Sequence, residues 1–145
     1  MLFQIVIGSI LTHTSLVIAA CLWWCLSWLL SKVNHRATRI HRGGQSLLVI
    51  VLAISTAMGM MTIGIWMWAV VYHFLAVFPD LESATYYTLI AYTTLGLGES
   101  ELPKALRILG GMTAANGFLM FGMMTAMLTD VLNNIRRKAL KHRDR

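Results

Sequence analysis

Two glycines alternate with leucines in the sequence Thr93-Thr94-Leu95-Gly96-Leu97-Gly98-Glu99, which follows a short aromatic-rich segment and precedes a long apolar one. Glycine reaches backbone dihedral angles that are closed to other residues, so alternating glycines let a chain run extended with its carbonyl groups turned one way. A row of carbonyl oxygens can replace the hydration shell of an ion. The sequence therefore predicts a loop whose backbone oxygens hold a cation.

The segment before this loop, residues 81–92, fits a helix of about 12 residues, which is roughly 18 Å long and too short to cross a bilayer. Asp80 or Ser83 can cap its N-terminus. A short apolar helix between two longer ones, followed by a glycine-rich loop, indicates a re-entrant segment. Non-helical backbone at membrane depth is tolerated only inside protein or beside a watery cavity, so the loop predicts an oligomer or a pore.

Three stretches around the loop carry no Asp, Glu, Lys or Arg: residues 1–31, 43–79 and 108–129. About 20 apolar residues suffice to cross a bilayer core of about 30 Å, and each stretch is long enough. Hydrophobic residues make up 57% of the 145 residues, and the mean hydropathy is +0.67. These values exclude a soluble globule and predict an all-α membrane protein with three transmembrane helices plus the re-entrant helix and loop.

Basic residues collect in two segments, 32–45 and 135–145, whereas the connection from 79 to 107 holds four acids: Asp80, Glu82, Glu99 and Glu101. Cytoplasmic loops are rich in Lys and Arg, so both basic segments are predicted to be cytoplasmic. The N-terminus and the acidic connection are then outside the plasma (inner) membrane. A pI near 9.8 fits contact with membrane lipids, including anionic headgroups, better than binding to nucleic acid.

Catalytic chemistry is not predicted, because no spacing typical of a nucleophile with its base, or of metal ligands, is present. Cys21 and Cys25 are four residues apart and share one face of the first helix. A metal or redox pair is one interpretation of them, and small apolar packing is the favoured one. The chain is predicted to be no enzyme and to need no cofactor.

The order of helix, short helix, Thr-Leu-Gly-Leu-Gly-Glu and helix resembles the pore module of potassium channels, in the bacterial type with one pore loop per chain. The familiar filter of that family is threonine, valine, glycine, tyrosine, glycine, usually followed by aspartate, and it matches residues 94–99. Thr93 matches a second threonine, and Tyr86-Tyr87 resembles the aromatic pair beside the filter. Leu97 replaces the tyrosine, which resembles the second pore loops of two-pore-domain potassium channels. Ile90 stands where many bacterial members have glutamate.

The resemblance implies a pore module at 46–134, with an outer helix 46–78, a pore helix 81–92, a filter 93–99 and an inner helix 107–134. A peripheral N-terminal helix 1–31 and a basic cytoplasmic loop 32–45 precede the module, and a basic cytoplasmic tail 135–145 follows it. A ring of carbonyls needs four loops and one chain supplies one, so the resemblance implies a homotetramer.

The filter implied by the resemblance comprises six residues: Thr93, Thr94, Leu95, Gly96, Leu97 and Gly98. Potassium ions are the expected permeant ligands, bound by the backbone carbonyls of Thr94, Leu95, Gly96 and Leu97. Four Glu99 side chains would ring the outer mouth and concentrate cations. The function that follows is passive conduction of potassium; the alternatives are a weakly selective cation channel and a non-conducting subunit that assembles with another channel.

Five residues of the last helix are candidates for the cavity or gate: Asn116, Gly117, Gly122, Thr125 and Asp130. The two glycines fit either a gating hinge or close helix packing. Asn116 and Thr125 fit either a cavity lining or hydrogen bonds between helices. Asp130 fits an inner-mouth ring, an ion pair with Arg136 or Lys138, or plain solvation, since an acid in a spanning helix is costly unless it meets water or a partner.

Overall fold

The computed structural model describes residues 2–36, 42–96 and 102–143. Four α-helices make up most of these ranges: α1 (Leu2–Arg36), α2 (Arg42–Phe74), α3 (Leu81–Tyr92) and α4 (Arg107–Arg143), with a 3₁₀ turn, Lys104–Leu106, before α4. Three stretches are long and apolar enough to cross a membrane: Leu2–Leu30, Ser46–Phe74 and Lys104–Arg137. The prediction of an all-α protein with three such helices is confirmed.

The predicted outer helix 46–78 ends four residues early, at Phe74, and begins at Arg42. Its C-terminus closes in a Schellman motif: the Val77 N–H donates to the Tyr72 carbonyl (3.2 Å) and the Ala76 N–H to the His73 carbonyl (2.9 Å). Ala76 has a φ of 51°, the left-handed conformation that this motif requires. The helix therefore stops at this turn, before the predicted end at residue 78.

Ala76→Gly is expected to stabilise the protein by about 1 kcal/mol, because a left-handed L-residue is strained and glycine is not. The measurement is the thermal unfolding midpoint in detergent. The control is Ala20→Gly, at an exposed position within α1. It should lower the midpoint, because glycine in a helix interior destabilises by about 0.5–1 kcal/mol. If Ala76→Gly lowered the midpoint as much as Ala20→Gly does, the strain at Ala76 would be contradicted.

The described parts of the two basic segments are helical, so the predicted bounds of their neighbours also change. α1 continues past residue 31 to Arg36, and α4 continues past residue 134 to Arg143. Residues 135–143 contain no Gly or Pro, and most of them favour helix. Basic side chains near a helix C-terminus also interact favourably with its partial negative charge, so nothing ends either helix where its apolar stretch ends.

α3 has the same bounds as the predicted pore helix. Asp80 caps it: one carboxylate oxygen accepts from the Ser83 N–H (2.6 Å) and the other from the Ser83 hydroxyl (3.0 Å). The backbone N–H of Ser83 lowers the pKa of Asp80, so the cap is charged at neutral pH.

α2 and α4 form the centre of the bundle, and α1 and α3 each pack against both of them. At the end near the acidic connection, an aromatic cluster joins α2 to α3. The ring centroids of Tyr72 and Tyr87 lie 5.3 Å apart in an edge-to-face arrangement, and those of Phe78 and Tyr87 lie 5.2 Å apart. The hydroxyl groups of Tyr72 and Thr113 are 2.7 Å apart, which links the cluster to α4. Such aromatic pairs contribute about 0.5–1.5 kcal/mol each beyond their buried area.

The predicted peripheral helix, α1, is tied to the start of α4 by a buried glutamine. The Gln4 side chain accepts from the Leu109 N–H (3.3 Å) and donates to the Ala105 carbonyl. The first N–H groups of a helix have no partner within it, so α1 supplies a cap to α4. Farther along, Gly8 lies against Met112, and a Cβ at Gly8 would overlap its side chain.

Candidate functional site

The loop that follows α3 begins with a second Schellman motif. The Leu95 N–H donates to the Ile90 carbonyl (3.0 Å) and the Thr94 N–H to the Ala91 carbonyl (3.1 Å). Thr94 occupies the left-handed position with a φ of 57°. A β-branched residue is rare there, and the conformation costs on the order of 1–3 kcal/mol.

Left-handed residues alternate along this loop. Gly96 has a φ of 59°, like Thr94, whereas Leu95 between them lies outside the left-handed region. Where right- and left-handed residues alternate, successive N–H groups converge on one side of the backbone, which leaves the carbonyl groups on the other. Thr94 and Gly96 supply the left-handed positions of such a pattern. Leu97, Gly98 and Glu99 lie outside the described residues.

Tyr92, the last residue of α3, fixes the position from which the loop departs. It is fully buried, and its backbone lies against Gly117 of α4, where a Cβ would overlap the Tyr92 carbonyl group. Its ring reaches Gly64 of α2, where a Cβ would lie 2.9 Å from Cζ. Two glycines on two helices thus make the space that Tyr92 occupies.

One face of α4 is uncovered along the helix and is rich in small and polar residues. Its exposed residues recur at the three- and four-residue spacing of one helix face: Gly111, Ala115, Phe118, Gly122, Thr125, Thr129 and Asn133. In lipid, small and polar residues of this kind are typical of contacts with other helices. A water-filled cavity also accommodates polar side chains within a membrane.

A family model with the description "Ion channel" matches residues 46–134, which is more than half of the chain. The chain belongs to the ion channel family. The match begins in α2, includes α3 and its loop, and ends within α4, so the α3 loop and the uncovered α4 face are parts of the channel domain. No curated protein and no solved structure matches the chain.

The structure separates the five cavity or gate candidates of this channel protein into two groups. Asn116 and Gly117 are buried: the Asn116 side-chain oxygen accepts from the Ser15 hydroxyl (2.8 Å), which places Asn116 between α1 and α4. Gly122, Thr125 and Asp130 are exposed. The Thr125 hydroxyl donates to the Phe121 carbonyl of its own helix (2.9 Å), and Asp130 accepts from the Asn134 amide (3.4 Å).

Among the described residues, the cysteines and the metal-binding side chains form no second candidate functional site. Cys21 and Cys25 are unpaired thiols on an exposed face of α1, so the packing that was favoured for them does not occur within this chain. Within residues 2–36, 42–96 and 102–143, no three His, Cys, Asp or Glu side chains gather at metal-binding distance.

Sequence reasoning missed Ser15, Gly64 and Tyr92, which lie around the base of the loop in the channel domain. Tyr92 directly precedes the loop and was the one of the three with a signal in the sequence, since a large side chain there must be accommodated by its neighbours. Ser15 and Gly64 come from distant parts of the chain, and nothing in their local sequence indicates a contact with α3.

Proposed function

We propose that the protein is a homotetrameric channel in the plasma membrane that conducts potassium passively through a filter formed by the loop after α3. The observation that carries this proposal is the alternation of left-handed residues at Thr94 and Gly96, in a loop of the ion channel domain. Four such loops around one axis would surround a dehydrated cation with carbonyl oxygens. The residues that bind potassium would be Thr94, Leu95, Gly96 and Leu97.

The position of the loop favours a cation for an additional reason. The loop departs from the C-terminus of α3, where the partial charge of the helix is negative. The Thr93 hydroxyl donates to the Leu89 carbonyl (2.8 Å), which also accepts the Thr93 N–H (3.0 Å), so this hydroxyl is directed back to the helix. The left-handed backbone of Thr94 is strained, and glycine would adopt it without strain. Threonine at this position therefore supports a role for its hydroxyl as a further oxygen ligand, which glycine would not provide.

The exposure of the loop in a single chain supports assembly. Leu95 is 64% exposed, although it belongs to the channel domain of a highly apolar protein. Neighbouring copies would cover it when four loops meet, and the uncovered face of α4 would then line the inner cavity. In this arrangement Gly122 and Thr125 face the pathway, Asp130 lies about 100° around the helix from Thr129 on that face, and Asn116 contacts α1.

The proposed orientation places the α3 N-terminus and Glu99 outside and the basic end of α4 in the cytoplasm. Four Glu99 carboxylates would concentrate cations at the outer mouth. The basic residues at the other end would meet anionic lipid headgroups, which attract Lys and Arg at the cytoplasmic surface.

A weakly selective cation channel is the second candidate, and the packing of Tyr87 favours it. Leu97 lacks the hydroxyl with which a filter tyrosine would bind its supporting helix. Tyr87 is turned toward Phe78 and Tyr72, and its hydroxyl lies beside Gly110. A filter with fewer hydrogen bonds to the surrounding helices would move its carbonyl oxygens more easily to fit sodium.

The test is electrical recording from the purified full chain in lipid bilayers, with potassium on one side and sodium on the other. A reversal potential near the potassium equilibrium value, with block by barium, is the expected result. A reversal near zero would identify the weakly selective channel. Tetramers that pass no current would identify a non-conducting subunit and overturn the proposal.

A further inference from the structure

Tyr92 is the point at which α3 meets all three long helices. Its ring lies against Gly64 of α2 and its backbone against Gly117 of α4. Its hydroxyl faces Ser15 of α1 at a distance that allows an electrostatic interaction, yet it makes no hydrogen bond of ordinary geometry. The base of the loop is thus in contact with α1, a helix that lies outside the matched channel domain.

Three polar side chains gather at this junction near the middle of the apolar span Leu2–Leu30. Ser15 is 3% exposed, and Tyr92 and Asn116 are fully buried. The Ser15 oxygen lies 2.8 Å from both the Thr12 carbonyl and the Asn116 side-chain oxygen, and its single proton can serve one of them. In the part of the chain that the structure describes, the Tyr92 hydroxyl and the Asn116 amide nitrogen have no hydrogen-bond partner.

Buried polar groups without partners are costly, and bilayer hydrocarbon offers no water to satisfy them. Apolar residues of similar size would fill this space without that cost. The Tyr92 hydroxyl can gain a partner at little cost: Ser15 donates to the Asn116 oxygen, and the Tyr92 hydroxyl turns to donate to the free lone pair of Ser15. The Asn116 amide nitrogen keeps no partner among the described residues. The resulting chain of hydrogen bonds runs from α3 through α1 to α4.

Tyr92 directly precedes Thr93 and the strained Thr94, so a shift of Tyr92 moves the start of the loop. We propose that Ser15 and Asn116 are positioning residues, through which α1 holds Tyr92 and thereby fixes the backbone of the Thr93–Gly96 loop. The N-terminal helix is then a determinant of ion discrimination in the channel domain. The claim about ion discrimination rests on the proposed function, whereas the claim about the loop backbone does not.

The test compares amide hydrogen exchange and ion selectivity in Ser15→Ala, Tyr92→Phe and the double variant, in the full chain. The amides of Thr94 and Leu95 donate to carbonyls of α3 and report opening of the loop base. Loss of one hydrogen bond is expected to speed their exchange about five- to tenfold. Both variants break the link between Tyr92 and Ser15, and Ser15→Ala also removes the hydrogen bond to Asn116. The double variant should therefore exchange no faster than Ser15→Ala alone.

Two controls separate this role from a general loss of packing. Ser27→Ala removes a hydroxyl from an exposed position of the same helix and should leave exchange at Thr94 and Leu95 unchanged. Ser15→Thr keeps the hydroxyl and should exchange like the wild type. If Ser15→Ala fails to fold, Tyr92→Phe, which keeps the ring, decides the question.

Reversal potentials in mixed potassium and sodium provide the functional readout, and Ser15→Ala should shift the permeability ratio while Ser27→Ala does not. Wild-type exchange at Thr94 and Leu95 in Tyr92→Phe would overturn the proposal, and so would additive effects in the double variant. A wild-type protein that passes no current would defeat the proposed function, yet the exchange measurement would still decide the role of α1.

Discussion

Gly96→Ala is expected to abolish ion flux. Gly96 has a φ of 59°, and an L-residue in this conformation costs about 1–2 kcal/mol. The proposed tetramer would carry the change four times, so the strain per assembly would be about 4–8 kcal/mol, which exceeds the value for a hundredfold loss of the conducting conformation. Each added methyl group would also crowd the carbonyl oxygens of neighbouring loops.

The measurement is barium-sensitive flux into vesicles that contain equal amounts of tetramer. A Cβ at Gly96 meets no atom within 4 Å in the single chain, so the variant should fold, and its defect should lie in conduction. Gly59→Ala is the matched control, because it also meets no atom within 4 Å but lies within the regular helix α2. Unchanged flux in Gly96→Ala would show that the loop is not the ion pathway.

Gly117→Ala is expected to destabilise the bundle by about 3 kcal/mol, at the upper end of the cost of overpacking. A Cβ at Gly117 would overlap the Tyr92 carbonyl oxygen and lie 2.7 Å from the carbonyl carbon. The obstacle is backbone, which cannot move aside as the end of a side chain can. α3 must therefore separate from α4, and both the unfolding temperature in detergent and the flux should fall.

Gly122→Ala, five residues farther along α4, provides the comparison. Its Cβ meets nothing within 4 Å, and alanine favours helix by about 0.5–1 kcal/mol, so its unfolding temperature should rise slightly or stay the same. The pair also separates the two interpretations of Gly117. A Gly117→Ala protein with normal thermal stability but an altered open probability would support a hinge and contradict the packing role.

The helical architecture was predictable because its signals are local. Uncharged stretches longer than a bilayer predict spanning helices wherever they occur, and the segment 81–92 is bounded by Asp80 at one end and the glycine-containing loop at the other. The predicted end of α2, residue 78, differs from the observed end, Phe74, because Ala76 adopts a left-handed conformation. Alanine carries no sequence signal for that conformation, whereas glycine does.

The loop was predictable in part for the same reason. Alternating glycines predict backbone dihedral angles that are closed to other residues, and Gly96 has a left-handed φ of 59°. Thr94 adopts the same conformation although β-branched residues disfavour it, and the Schellman motif at the end of α3 imposes it. The local preference of a β-branched residue is against a left-handed backbone, so this conformation of Thr94 is visible only in the folded chain.

The junction around Tyr92 could not be predicted, because its contacts join residues that are far apart in the sequence. Ser15 and Asn116 are separated by 101 positions, and a serine in an apolar helix is compatible with many partners. Their pairing depends on the angle through which α1 is rotated about its own axis where it packs against α4. That rotation is set by Gln4 and Gly8, whose roles also become visible only when the helices are packed.

The continuity of α4 has a mechanical consequence. The helix runs unbroken from Arg107 to Arg143, and about 26 residues, or roughly 39 Å, separate Gly117 from its basic end. An unbroken helix behaves as a stiff rod over this length, so a sideways force or torque on the basic end is delivered to the backbone beneath Tyr92. The basic end of α4 is therefore mechanically connected to the start of the loop.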